Sequence, residues 1–272
     1  MKYVHANGER LCVSGRRIPT QPPLTQLHFG DFVSPSLPPP PARVYWDQRN
    51  IAGVSDAYLN NEIGDCGYAG WMHLWDIWNP ATKATSDDVL WLYKACEPAF
   101  DLKRALAGDP NADPGADLES VLQRVQAKGA FPDGRGRIAA WVRVDPTNWL
   151  HVKQAIWLFG GVYAGACMPD AWPDNFTGKG GFTWDLAGHH NPDNAHCIPL
   201  SGYAEDIGAV CMTWGKLGTI TPRAIANYFA AAQGGEMYAP VSLDWPDRVT
   251  LKAPSGFDIA GLESALKGFS NA

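Results

Sequence analysis

At 272 residues and 46% hydrophobic content, the chain can supply a core for one large domain or for two packed lobes that share a cleft. Its net charge of −6, with no block of Lys or Arg, lacks the electrostatic footprint of a nucleic-acid or anionic-membrane binder. The first residues hold no apolar segment of the kind that directs secretion. No later run approaches the ~18 apolar residues needed to span a bilayer, so the expectation is a soluble, non-secreted chain.

Residues 18 to 42 are rich in Pro and show neither helical nor strand periodicity. They read as an extended arm, with Pro38–Pro41 in a polyproline II conformation, held by the chain's own domain or by a partner. The division expected is an arm over 1–43 and a domain over 44–272. After Cys66, the spacing of Trp71, Leu74, Trp75 and Trp78 predicts a buried helix that Asn79-Pro80 ends. Ser86 before Asp87-Asp88 predicts an N-capped second helix, and Leu118, Val121, Leu122 and Val125 share a face of a third that ends at Gly129.

Beyond a helix over residues 149–160, the character changes to short apolar runs bounded by Gly, Pro and Asp, around residues 160–168, 196–206, 208–215 and 236–245. These predict strands of one antiparallel sheet. The fold class is therefore α+β, with a helical lobe over about 44–150, a sheet lobe over about 151–250 and a cleft between them. Twelve tryptophans are core and cleft-wall material. The six cysteines are scattered without a CxxC pair, which argues for reduced thiols and against a disulfide scaffold or a zinc ribbon. Asn175-Phe176-Thr177 has the form of a glycosylation acceptor and is discounted without a secretory signal.

Cysteine chemistry needs a thiolate, a base to hold the proton, and donors for the oxyanion formed when a carbonyl is attacked. Cys66 sits where the loop from Asn60 to Asp65 enters a helix. Unpaired backbone N–H groups and the helix dipole would favour its ionised form, and its own N–H could serve an oxyanion. Asp65 and Glu62 oppose that effect by charge, unless Asp65 caps the helix.

The order of motifs resembles that of papain-family cysteine peptidases. Val44 to Val54, followed by the Asn60–Cys66 loop, is similar to the family's mature N-terminus and nucleophile loop. Ala116–Gly129, Val152–Ile156, Gly160–Gly165, Asn194–Tyr203 and Met212–Gly215 then resemble successive family segments, over about residues 44 to 230. The resemblance implies a papain-like two-lobe fold, with Cys66 as nucleophile and His196 as base. It also implies Asn60, six residues before Cys66, in place of the family's oxyanion-hole glutamine; Asn can donate the same amide hydrogen bond. The family's third catalytic residue, an asparagine, is here Met212, which cannot orient an imidazole. Thr213, Asp206 or a backbone carbonyl is left for that task, or His196 is poorly held.

The remaining histidines have plainer roles. His189 and His190 read as solvated loop residues and His73 as a buried, hydrogen-bonded one. His196 and Cys197 would point to opposite faces of a strand, so no metal is expected, and no cofactor. The function expected is a cysteine peptidase or related amide hydrolase acting on a peptide or protein. The alternative is a weak or inactive papain-like scaffold, with the arm joining a protein partner or a second copy in a larger assembly such as a phage particle. Location is expected to be cytoplasmic or virion. Residues 1–43 are shorter than the family's usual inhibitory leader, which leaves self-inhibition open.

Overall fold

The computed structural model describes residues 2–6, 8–20, 27–33, 37–174, 176 and 181–244. Parts of the Pro-rich arm, the acceptor positions 175 and 177, and the end of the expected domain from 245 lie outside the described residues.

The chain starts with a hairpin, β1 (Tyr3–Ala6) and β2 (Glu9–Cys12), and after the arm enters β3 (Arg43–Tyr45) and a short α1 (Ile51–Val54). The helical lobe follows with α2 (Cys66–Trp78), α3 (Ser86–Cys96), α4 (Leu102–Leu106) and α5 (Leu118–Lys128). Every residue of α2 is buried, as expected of a helix that is apolar all round. Thr85, one residue earlier than Ser86, caps α3. Its hydroxyl accepts from the Asp88 N–H while the Asp88 carboxylate accepts from the Thr85 N–H, a reciprocal box that Ser86 could not close. Asp117 caps α5 through the Ser120 N–H, and Gly129 ends it.

Next come β4 (Ile138–Arg143), α6 (Trp149–Phe159), β5 (Tyr163–Cys167), α7 (Ala171–Asp174), β6 (Thr183–Trp184), β7 (Ala195–Cys197), β8 (Leu200–Ala204), β9 (Gly208–Thr213), β10 (Lys216–Ile220), α8 (Pro222–Tyr228) and β11 (Glu236–Ser242). The expected single antiparallel sheet is in fact two larger sheets beside the N-terminal hairpin. One has the order β3-β8-β9-β10-β6, with β6 parallel to β10, and the other the order β4-β11-β5-β7. The run read as one strand over 196–206 divides between them, because Pro199 has no N–H for a ladder. β4 comes from the stretch assigned to the helical lobe but pairs with β11, so that lobe contributes to the sheet.

Two apolar clusters form the core. One, around Trp71, Trp78, Leu122 and Met212, belongs to the helical lobe; the other, around Trp172, Trp184, Phe159 and Trp214, to the sheets. Complete burial of such side chains is worth roughly 1.5–3 kcal/mol each. Leu11, Val13 and Phe29 of the N-terminal region are buried in the second cluster, so these residues pack as part of the core.

The loop that delivers Cys66 is under local strain. Tyr58 and Leu59 both have positive φ (49° and 70°), costly for side chains of this size. Tyr58 is held by its hydroxyl, which donates to Asp76 Oδ2 at 2.5 Å, and by His73, whose ring lies 5.1 Å away. Asp76 also accepts from the Ala84 N–H, and burial raises its carboxyl to about 6. Tyr58→Phe removes a donor that favours the charged carboxylate. It is expected to cost about 1–3 kcal/mol in urea unfolding, with the larger loss above pH 6, where Asp76 is ionised.

Candidate active site

The N-terminus of α2 meets β7 at Cys66, where the backbone N–H of Cys197, the residue after His196, donates to Cys66 Sγ at 3.3 Å. The loop before Cys66 is tied to the facing rim of the helical lobe. Gly64 N–H donates to Asp113 Oδ2 at 2.9 Å, Tyr93 donates its hydroxyl proton to Asp113 Oδ1, and the Gly115 N–H donates to that same hydroxyl. Asp65 holds the N-cap position of α2 but makes no side-chain cap bond. It is fully buried, accepts from Asn60 Nδ2 at 3.1 Å, and burial lifts its carboxyl well above the ordinary range. One N–H of the Asn60 amide is therefore spent on Asp65 and one is left.

His196 is also fully buried, its ring 4.6 Å from that of Trp214 and stacked on it. Its Nε2 lies 2.7 Å from Thr213 Oγ1, and its Nδ1 has no hydrogen-bond partner among the described residues. With Nε2 protonated, the ring donates to Thr213 and keeps a lone pair on Nδ1. The strand period explains why Thr213 occupies this place. Met212 points into the helical-lobe core, and the next residue of β9 faces the other way. Asp206 lies in the turn after β8, exposed to solvent.

The electrostatics correct the expectation of an ionised Cys66. Burial pushes its thiol up to about 12, aided by Asp65 and opposed by the Cys197 N–H and by Arg16. Burial also holds His196 down to about 3, and the positive Arg16 adds to that effect. The pair is thus neutral thiol and neutral imidazole, since desolvation outweighs the helix N-terminus.

The cause is a strap of the chain's own residues that sequence reasoning missed. Arg16 N–H donates to the Ala195 carbonyl (3.1 Å), Arg17 N–H to the Ala116 carbonyl (2.7 Å), and Ala116 N–H to the Gly15 carbonyl (2.8 Å). Residues 15–17 therefore cross the cleft from one lobe's rim to the other, parallel to the segment at Ala116. Gly15 rests on Cys66: a Cβ there would lie 2.9 Å from Cys66 Sγ and 2.8 Å from the Gly64 backbone. Trp214 Nε1 donates to the Cys12 carbonyl, fixing the strap's upstream end. In the sequence, only a small residue followed by two arginines marks the place.

The other histidines stand apart. His73 is buried within 3.3 Å of the Gly53 carbonyl, and burial lowers it to about 4; His189 is exposed and His190 half-buried. Among the described residues no group of three or more His, Cys, Asp or Glu side chains could hold a metal, and no helix is long and apolar enough to cross a membrane.

A helical lobe and a sheet lobe, with a cysteine at a helix start against the strand that carries a histidine, together make a papain-like fold; Cys66 Sγ accepts from the Cys197 N–H and makes no hydrogen bond with His196 Nδ1. Solved structures of similar fold include xylellain, a cysteine protease from Xylella fastidiosa, at 13% identity and a TM-score of 0.58, covering 86% of this chain and 98% of that one. Digestive procathepsin L 3 from the larval midgut of Tenebrio molitor is similar at 12% identity and a TM-score of 0.54, covering 77% and 72%. No family model matches the sequence, and no curated protein does. At these identities the likeness establishes the fold.

The buried histidine gives the closed strap a pH dependence. Between about 3 and the solvated value near 6.5, an opened form binds a proton at His196 that the closed form excludes, so this group drives opening on acidification, while the raised Asp65 and Glu236 carboxyls contribute with the opposite sign. Hydrogen exchange at the Arg16 and Arg17 amides, corrected for intrinsic rate, is expected to accelerate from pH 7 to pH 4. His196→Gln should flatten that response.

Proposed function

We propose that the chain is a cysteine peptidase whose cleft is closed by its own N-terminal strap. The observation that carries this reading is the strap itself. The cleft beside Cys66 already holds a polypeptide through backbone hydrogen bonds to Ala116 and Ala195, which any extended peptide could make. A peptide or protein is thus the substrate class that best fits the groove.

In this reading the opened site works as follows. His196 Nδ1 takes the Cys66 proton as Sγ attacks the carbonyl carbon. The oxygen, now an oxyanion, accepts from the Cys66 N–H and from the remaining N–H of Asn60. The tetrahedral intermediate collapses as His196 returns the proton to the leaving amine, which departs and leaves a thioester on Cys66. Water, deprotonated by His196, attacks the thioester; the acid product leaves and the thiol is restored. Thr213 is a positioning residue that fixes the imidazole tautomer. The Gly15 carbonyl is engaged by the Ala116 N–H, so the strap does not present its own bond for attack.

Gly15→Val should lift the strap off Cys66. A peptidyl thiol-reactive electrophile is then expected to label Cys66 at least about tenfold faster than in the unmodified chain, with His196→Ala removing the gain. Equal labelling of all accessible cysteines would instead favour the non-enzymatic scaffold. In the opened chain Thr213→Val should lower kcat by about ten- to a hundredfold with little change in KM, and Thr213→Ser should restore most of it.

A further inference from the structure

The strap's one deeply inserted side chain is Arg16. Its guanidinium is fully buried, with Nη1 donating to Glu236 Oε1 at 2.7 Å and Nη2 to the Gly234 carbonyl at 2.6 Å; Cys167 Sγ lies 3.5 Å from Nη2. Glu236 is itself buried, and its second oxygen accepts from the Tyr238 hydroxyl at 2.9 Å. The arginine stem passes over Gly165, where a Cβ would lie 2.4 Å from Arg16 Cδ. Residues from β5, from β11 and from the turn before β11 thus form a slot with room for a long unbranched stem, one carboxylate and one carbonyl at its end.

We infer that this slot is a receptor for the arginine side chain of a bound peptide, with Glu236 as its specificity-determining residue. The inference rests on the peptidase reading for its biological use, since Arg16 is the immediate neighbour of the residue lying on Cys66. A substrate side chain in the slot would therefore sit within about one residue of the bond under attack. An apolar side chain would leave Glu236 buried without a counter-charge, a strong penalty against the wrong residue. Lysine reaches one acceptor as a point charge, whereas the arginine fork meets Glu236 and Gly234 with separate nitrogens. The expected order is arginine, then lysine, then leucine. Because the slot recognises a side chain, it serves a peptide running in either direction, including one antiparallel to the strap.

Two measurements on the full-length Gly15→Val chain separate the slot from the chemistry. In the first, short peptides that scan arginine, lysine, leucine or citrulline through each position are bound to the chain carrying Cys66→Ala as well, and followed by calorimetry. At one position arginine is expected to bind at least about thirtyfold more tightly than citrulline, its neutral analogue, or leucine. Glu236→Gln should abolish that preference, while circular dichroism reports whether the variant is folded. The citrulline comparison needs no change in the slot, so it decides the matter even if Glu236→Gln fails to fold. Equal binding of arginine and citrulline at every position, or no binding of any peptide, overturns the inference. In the second, the same series as peptidyl electrophiles is reacted with Cys66. Arginine-selective binding without labelling would remove the peptidase reading and leave the slot standing, and labelling without arginine preference would do the reverse.

Discussion

Water is kept from Cys66 and His196 by a peptide backbone lying across the seam between the lobes, and the states of the thiol and the imidazole follow from that dryness. The thiol is held protonated, the imidazole is held neutral, and the Asp65 carboxyl rises because burial penalises its charged form more than the Asn60 amide favours it. The Arg16 guanidinium remains charged beside them. It can stay charged in this interior because Glu236 answers it at 2.7 Å. Gly15 makes the arrangement sterically feasible, since any side chain there would collide with Sγ and with the loop that carries it.

Cys66 and His196 are each held by several contacts beneath the strap. Cys66 is fixed by a helix without an exposed residue, by a loop whose two left-handed residues are anchored through Tyr58 and Asp76, and by Asp113 tying that loop to the rim of the helical lobe. His196 is fixed by a short strand, by the Trp214 ring beneath it and by the Thr213 hydroxyl. Removal of the strap would admit solvent to both groups. In the proposed function, that change is what turns a neutral, dry pair into a nucleophile and a base, and the same surfaces that now hold the strap would hold a substrate.

Much of this was legible in the residues. Helical spacing in α2 and α5, the Gly and Asn-Pro stops, and the order of motifs from Val44 to Gly215 led to a papain-like α+β fold, and that fold is what the structure has. Legibility failed where a single residue altered a ladder or a cap. Pro199 divides one apolar run between two sheets, β4 hides in a stretch otherwise helical, and Thr85 rather than Ser86 closes the α3 box. Each is a local hydrogen-bond choice made by tertiary partners that periodicity does not register.

The sequence by itself determined the two lobes, the place of Cys66 at a helix start and of His196 on a strand, and the absence of the family's asparagine at Met212. Only the tertiary structure decided that Thr213 meets the imidazole, that residues 15–17 fill the cleft, and that Glu236 receives Arg16 across 220 positions of chain. The physical reason is common to all three. Ionisation state and hydrogen-bond partner depend on which distant groups exclude water from a site, and no window of sequence contains that information.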